Sequence, residues 1–185
     1  MTGFEFGLIP VAIIIGFALT RILTCWGQVV RRWSELQNLG LFLSFTVFAM
    51  AGILSHFVGD WAYREIDLHF GLLVLIILPT LSMVLAISVI LPSDGEFPSD
   101  LREHYFTYAR KSSGLFGIGV LLSIVPDLDP GAVNTPEPWM VGAVLIPLGC
   151  MAALRRKVVH VLAHLALWAM MLLQMSSLTS FGSIQ

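Results

Sequence analysis

Long apolar runs alternate with short polar connectors along the whole chain. Six such runs are visible, at about 6–30, 39–59, 70–91, 113–125, 139–154 and 158–175. About 20 consecutive apolar residues carry a helix across a bilayer, and the first three runs meet that length. The fourth and fifth are short on their own. The fourth borrows length from the stretch 100–111 before it. Ser99 is placed there to cap a helix, and Asp100 suits its positive end. This stretch predicts an interfacial helix, with Tyr105, Phe106 and Tyr108 at headgroup depth. Runs this long and continuous cannot alternate lipid-facing with lumen-facing residues, which excludes membrane strands. The expected fold is all-α. It is a polytopic transmembrane bundle of about six helices, with an interfacial helix before the fourth span, in a single transmembrane domain covering 1–185.

Charge gives this pattern a direction. Eight of the ten basic residues fall in three clusters: Arg31-Arg32, Arg102 with Arg110-Lys111, and Arg155-Arg156-Lys157. Short cytoplasmic loops retain Lys and Arg, so these clusters are assigned to the cytoplasmic side. The connector 59–69 carries Asp60, Glu65 and Asp67 against Arg64. The connector 126–138 carries Asp127, Asp129 and Glu137 and no basic residue. Both are expected outside, and an even number of spans then puts both termini outside as well. The N-terminus does not resemble a cleaved signal peptide, because it opens on Glu5 and its apolar run is too long.

Composition supports the same class. The chain is 57% hydrophobic and 12% charged, about half the charge of an ordinary soluble domain. The net charge of −2 gives no case for nucleic acid as a partner. The expected partners are the lipid bilayer and either further copies of the chain or a larger membrane complex. Cys25 and Cys150 lie in apolar runs near the cytoplasmic side, where buried free thiols are expected and a structural disulfide is not.

Two segments look familiar. Gly16-Phe-Ala-Leu-Thr-Arg-Ile-Leu-Thr24 and Asp100-Leu-Arg-Glu-His-Tyr-Phe106 resemble uncharacterised bacterial multi-span membrane proteins. The resemblance covers about a tenth of the chain. It implies a bacterial inner-membrane location and carries no chemistry.

The residues themselves offer three candidate sites. Arg21 lies inside the first apolar run, ten residues before Arg31. A charge at that depth is costly and faces a bundle interior or a wet cavity, with backbone carbonyls, a lipid phosphate or an anionic substrate as its candidate partners. Thr24 and Gln28 follow on the same helical face, so Arg21, Thr24 and Gln28 form a polar stripe suited to an anion or solute. No Asp or Glu occupies the core of any run, so Arg21 lacks an obvious carboxylate; the bland reading is snorkelling toward the headgroups. A second set is His56, Asp60, Asp67 and His69 at the outer end of the second run, with atoms suited to a divalent metal. A third is His160 and His164, spaced i, i+4 with Trp168 on their face and His104 on the same membrane side. That pair suits either interfacial hydrogen bonding or part of a metal site. His56 is too far from His160 in depth to share one b-type haem with it.

Several classes drop out. No span centre holds the Lys a retinal Schiff base needs, and no phosphate loop or His-Glu-x-x-His occurs. The sequence specifies no cofactor and argues against an enzyme. Small residues, including Gly114, Gly117 and Gly119 in the fourth run and Ser82 and Ala86 in the third, favour close helix packing. Pro10, Pro79 and Pro147 are candidate kinks lining cavities. Two main functions follow: an oligomeric channel or transporter with a polar path near Arg21, or a non-catalytic accessory or scaffold subunit of a membrane complex. A metal or haem redox protein built on the histidines is a third.

Overall fold

The computed structural model describes residues 3–36, 39–60, 70–93, 97–124 and 138–181. Among them it contains six helices and no strands: α1 (Gly3–Arg31), α2 (Gly40–Gly59), α3 (Phe70–Ile90), α4 (Leu101–Ile124), α5 (Pro138–Ala153) and α6 (Lys157–Phe181). Each apolar run became one helix, with ends within a few residues of those expected. The exception is α4. No interfacial helix precedes it, because 100–111 and the fourth run form one continuous helix. Its cap is Asp100 and not Ser99. Asp100 Oδ1 accepts from the backbone N–H groups of Arg102 at 2.8 Å and Glu103 at 3.3 Å, which satisfies two of the orphan donors at a helix start. Tyr105 does not face outward toward the interface. It is fully buried in the core.

Helix α1 shows how the pattern directs packing. Its buried residues are Leu8, Val11, Ile15, Ala18, Ile22, Cys25 and Val29. They alternate three- and four-residue steps, the spacing that keeps one stripe against a neighbour. The stripe packs on α3 and α2. Phe6, Ile13, Phe17 and Leu23 are exposed on the other side. Helix α2 is central and touches α1, α3, α4 and α6, while α5 bridges α4 and α6.

The α3–α4 seam is the most extensive. Ser82 Oγ donates to the Leu115 carbonyl, and Ser112 Oγ donates back to the Ala86 carbonyl, both at 2.7 Å. Gly119 lies hard against α3. A Cβ there would sit 3.0 Å from the Pro79 carbonyl oxygen and 2.7 Å from Met83 Cγ. Gly114 has open space, and Gly117 reaches only ordinary contact with Leu148. Of the three glycines in α4, Gly119 is therefore the one that close approach requires. On α2, Gly52 makes room for the Phe116 ring, whose Cζ would lie 2.8 Å from an added Cβ. The helices run through Pro10, Pro79 and Pro147 without ending.

Polarity is inverted relative to a water-soluble bundle. Thr46, Thr80, Ser112, Ser113, His160 and His164 are buried, while large apolar side chains cover α1, α2, α3 and α6 outside. Contiguous apolar surface on this scale marks contact with lipid or protein, not water. Three helices, over Glu5–Arg31, Gly40–Gly59 and Leu73–Ile90, are long and apolar enough to cross a membrane. The chain is a helical membrane protein.

Candidate functional site

The buried polar groups converge at one end of α2, α4 and α6. Ser44 is the fifth residue of α2, Tyr105 the fifth of α4, and His160 and His164 the fourth and eighth of α6. Similar distance from the helix start puts them at similar depth. The Tyr105 hydroxyl sits between the two imidazoles, 2.8 Å from His160 Nδ1 and 3.0 Å from His164 Nε2. His160 Nε2 lies 2.8 Å from the Leu154 carbonyl oxygen. His164 Nδ1 lies 2.8 Å from Ser44 Oγ, which also accepts from Trp168 Nε1 at 3.0 Å.

The two ends of this chain fix every proton in it. A carbonyl only accepts, so His160 Nε2 donates to Leu154. Neutral His160 then accepts at Nδ1, and the Tyr105 hydroxyl donates to it. The Tyr105 oxygen accepts from His164 Nε2, so His164 Nδ1 accepts from the Ser44 hydroxyl. Trp168 Nε1 can only donate, and it closes the other end on Ser44. Donation therefore runs one way, from Trp168 through Ser44, His164, Tyr105 and His160 to Leu154. Every polar atom of these rings is satisfied without a charge. Tyr105 and His160 are 0% exposed and His164 6%, the setting in which an unpaired group is most costly. Aromatic faces enclose the chain: Phe45 packs near Tyr105 and His164, and Phe106 meets His160 edge-on at 5.0 Å.

The chain also finishes α5. Leu154 directly follows that helix, and the carbonyls of its last turn lack intrahelical donors. His160 from α6 takes the Leu154 carbonyl, and Arg110 Nε from α4 takes the Ala152 carbonyl at 2.8 Å. Arg110 also places a positive charge at the negative end of the α5 dipole.

The expected sites fare differently. In this arrangement both ring nitrogens of His160 and of His164 are engaged, so neither offers a lone pair to a metal. His104 is not part of the chain; its Nε2 donates to the Ile90 carbonyl at 2.9 Å. The described residues contain no group of three or more metal-ligating side chains. His56 and Asp60 do meet, with Nδ1 and Oδ1 3.8 Å apart and both side chains largely buried. Asp67 and His69 lie outside the described residues.

Arg21 and Thr24 are exposed on the outer surface of the bundle, and Gln28 is half-buried. Arg21 makes no hydrogen bond or ion pair among the described residues. Arg at mid-membrane costs about 2.5–3.5 kcal/mol on insertion scales, and no carboxylate among the described residues pairs with Arg21 to offset this.

Sequence reasoning found the His160/His164 pair but missed Tyr105 and Ser44. Their signal was available in the topology. Alternate helices of an up-and-down bundle run parallel, so polar residues one turn into α2, α4 and α6 share a level. Comparison with family models, curated proteins and solved structures found no match to this chain.

Proposed function

We propose that the chain is a multi-pass bacterial inner-membrane protein that works as a subunit of a larger membrane assembly, with the outer face of α1 at the seam. In this reading all six helices cross the membrane. The Arg31, Arg110 and Arg155 clusters are cytoplasmic and both termini periplasmic. Arg21 carries the proposal. The imidazoles and the Tyr105 hydroxyl at the heart of the bundle pair with one another, whereas this full charge lies on the apolar outside with no hydrogen bond or ion pair among the described residues. A side chain so placed needs something the single bundle does not supply.

A conduit is the second reading. It is favoured by the single stripe of Arg21, Thr24 and Gln28, whose guanidinium, hydroxyl and amide suit an oxyanion passing along a seam between subunits. It is disfavoured inside one protomer. The gap beside the polar chain, lined by Phe45, Phe48, His164, Leu167 and Trp168, has no room for water.

Native mass of the detergent-extracted protein tests the assembly. A mass above one chain plus bound lipid is expected. A bare monomer, also monomeric by cross-linking in membranes, overturns it. Anion flux in liposomes separates the two readings. Flux lost in Arg21→Gln supports the conduit, and no flux for any anion supports the accessory subunit.

A further inference from the structure

The outer face of α1 has a particular chemistry. Gly16, Thr20, Thr24 and Gly27 are all exposed on it. A Cβ added at Gly16 or Gly27 would meet nothing within 4 Å. Thr20 turns its hydroxyl back onto the Gly16 carbonyl at 2.8 Å, so it offers a flat surface and no spare donor. Small residues in this arrangement let a second helix backbone approach closely. Arg21 lies at the edge of this face. It is ten residues from Arg31, about 15 Å along the axis, or half of a hydrocarbon core of about 30 Å.

Charge decides what can dock there. Charges within membranes pair with one another or with backbone carbonyls, and an opposite charge is the stronger partner for a guanidinium. A second copy of this chain has none to offer at that depth. Its carboxylates lie in connectors or at the ends of apolar runs, such as Glu5 and Asp60, and none in a run core. Two copies meeting through this face would instead bring two Arg21 side chains together.

We infer that the outer face of α1 docks a transmembrane helix of a different protein, one carrying an Asp or Glu near mid-membrane that pairs with Arg21. The inference rests on the assembly reading above and names the partner's chemistry. The guanidinium grips the carboxylate with two parallel hydrogen bonds, and the small residues let the two backbones close up around that contact. Lysine would hold the charge without the fork.

The test uses the full-length protein in phosphatidylcholine liposomes with a synthetic single-span Leu/Ala helix bearing one central Asp. Energy transfer between labelled probe and protein reads binding. The Asp probe is expected to bind at least tenfold tighter than an all-Leu/Ala probe. Arg21→Gln should remove that difference, with melting in detergent unchanged because the side chain is exposed. Arg21→Lys should recover part of it, and Gly16→Leu should weaken both probes. Equal binding of the two probes, or full preference retained in Arg21→Gln, overturns the inference. So does displacement of the Asp probe by phosphatidylglycerol, which makes lipid phosphate the occupant. Native mass is measured in parallel. A large assembly that survives Arg21→Gln sinks this inference alone, and a bare monomer sinks the assembly reading as well.

Discussion

Removing one hydroxyl, with Tyr105→Phe, strikes the buried polar chain at its centre. The ring stays, so the edge contacts with Phe45, Phe106 and both imidazoles are kept. What is lost is the donor to His160 Nδ1 at 2.8 Å and the acceptor for His164 Nε2 at 3.0 Å. Water cannot replace them where Tyr105 and His160 are 0% exposed. Interhelical hydrogen bonds in membranes average about 0.6 kcal/mol and reach about 1.7 kcal/mol. Two such bonds give a loss of about 1 to 3 kcal/mol. His164 can recover part of this by moving its proton to Nδ1 and donating to Ser44, which places the expected value below the upper end. At roughly 2–4 °C per kcal/mol for a chain of this size, the melting midpoint falls by on the order of 2 to 12 °C. The assay is thermal unfolding of the detergent-purified protein followed by circular dichroism. Adding His160→Leu to Tyr105→Phe should cost less than the sum of the two single changes, because the second removes an atom already orphaned. A Tyr105→Phe variant as stable as wild type, or strictly additive losses, would refute the directed chain.

Other outcomes follow from the same geometry. Gly119→Ala should destabilise the protein, since its new Cβ meets the α3 backbone, while Gly114→Ala should be neutral or gain up to about 1 kcal/mol from helix propensity; the reverse order in thermal melts would refute the seam. Nitrogen chemical shifts of labelled imidazoles should show His160 and His164 both neutral with the proton on Nε2, and a charged or Nδ1-protonated ring would contradict the assigned direction. Zinc titration should show no site that depends on His160 or His164; a tight site abolished by His160→Ala would mean the ring nitrogens are not engaged as described. In the folded protein a small thiol reagent should reach half-buried Cys150 before buried Cys25, and faster labelling of Cys25 would place the α1 stripe wrongly.

How much was legible in the sequence depends on the range of the forces involved. Apolar runs fix helices locally, so each of the six runs appeared as a helix, and only the start of α4 lay far from where it was expected. The interfacial helix expected over 100–111 came from reading Tyr105, Phe106 and Tyr108 as headgroup-depth residues. Charges do not interrupt a helix when they can face outward, and Arg110 and Lys111 are exposed while Ala109, Ser112 and Ser113 turn into the bundle. His160 and His164 were visible as a pair because i, i+4 is a local signal. Their meeting with Tyr105, 55 residues before His160, and with Ser44, 120 residues before His164, is set by packing alone. Arg21 stood out by its charge, but only the buried stripe from Leu8 to Val29 told which way it faces.

The order in which a ribosome delivers these helices gives the polar chain a second meaning. The first three emerge long and apolar enough to enter a bilayer on their own hydropathy. The next begins with four charged residues among its first eleven, and α5 has only 16 residues, about 24 Å of helix. Ser44 is in place early, but its partners His164 and Trp168 arrive only with α6. The early helices therefore serve as a template on which the later ones are recruited, and the chain from Trp168 to Leu154 closes only once α6 has joined them. A protein truncated before α6 keeps Ser44 and Tyr105 without these partners and leaves both hydroxyls to be satisfied in an apolar setting.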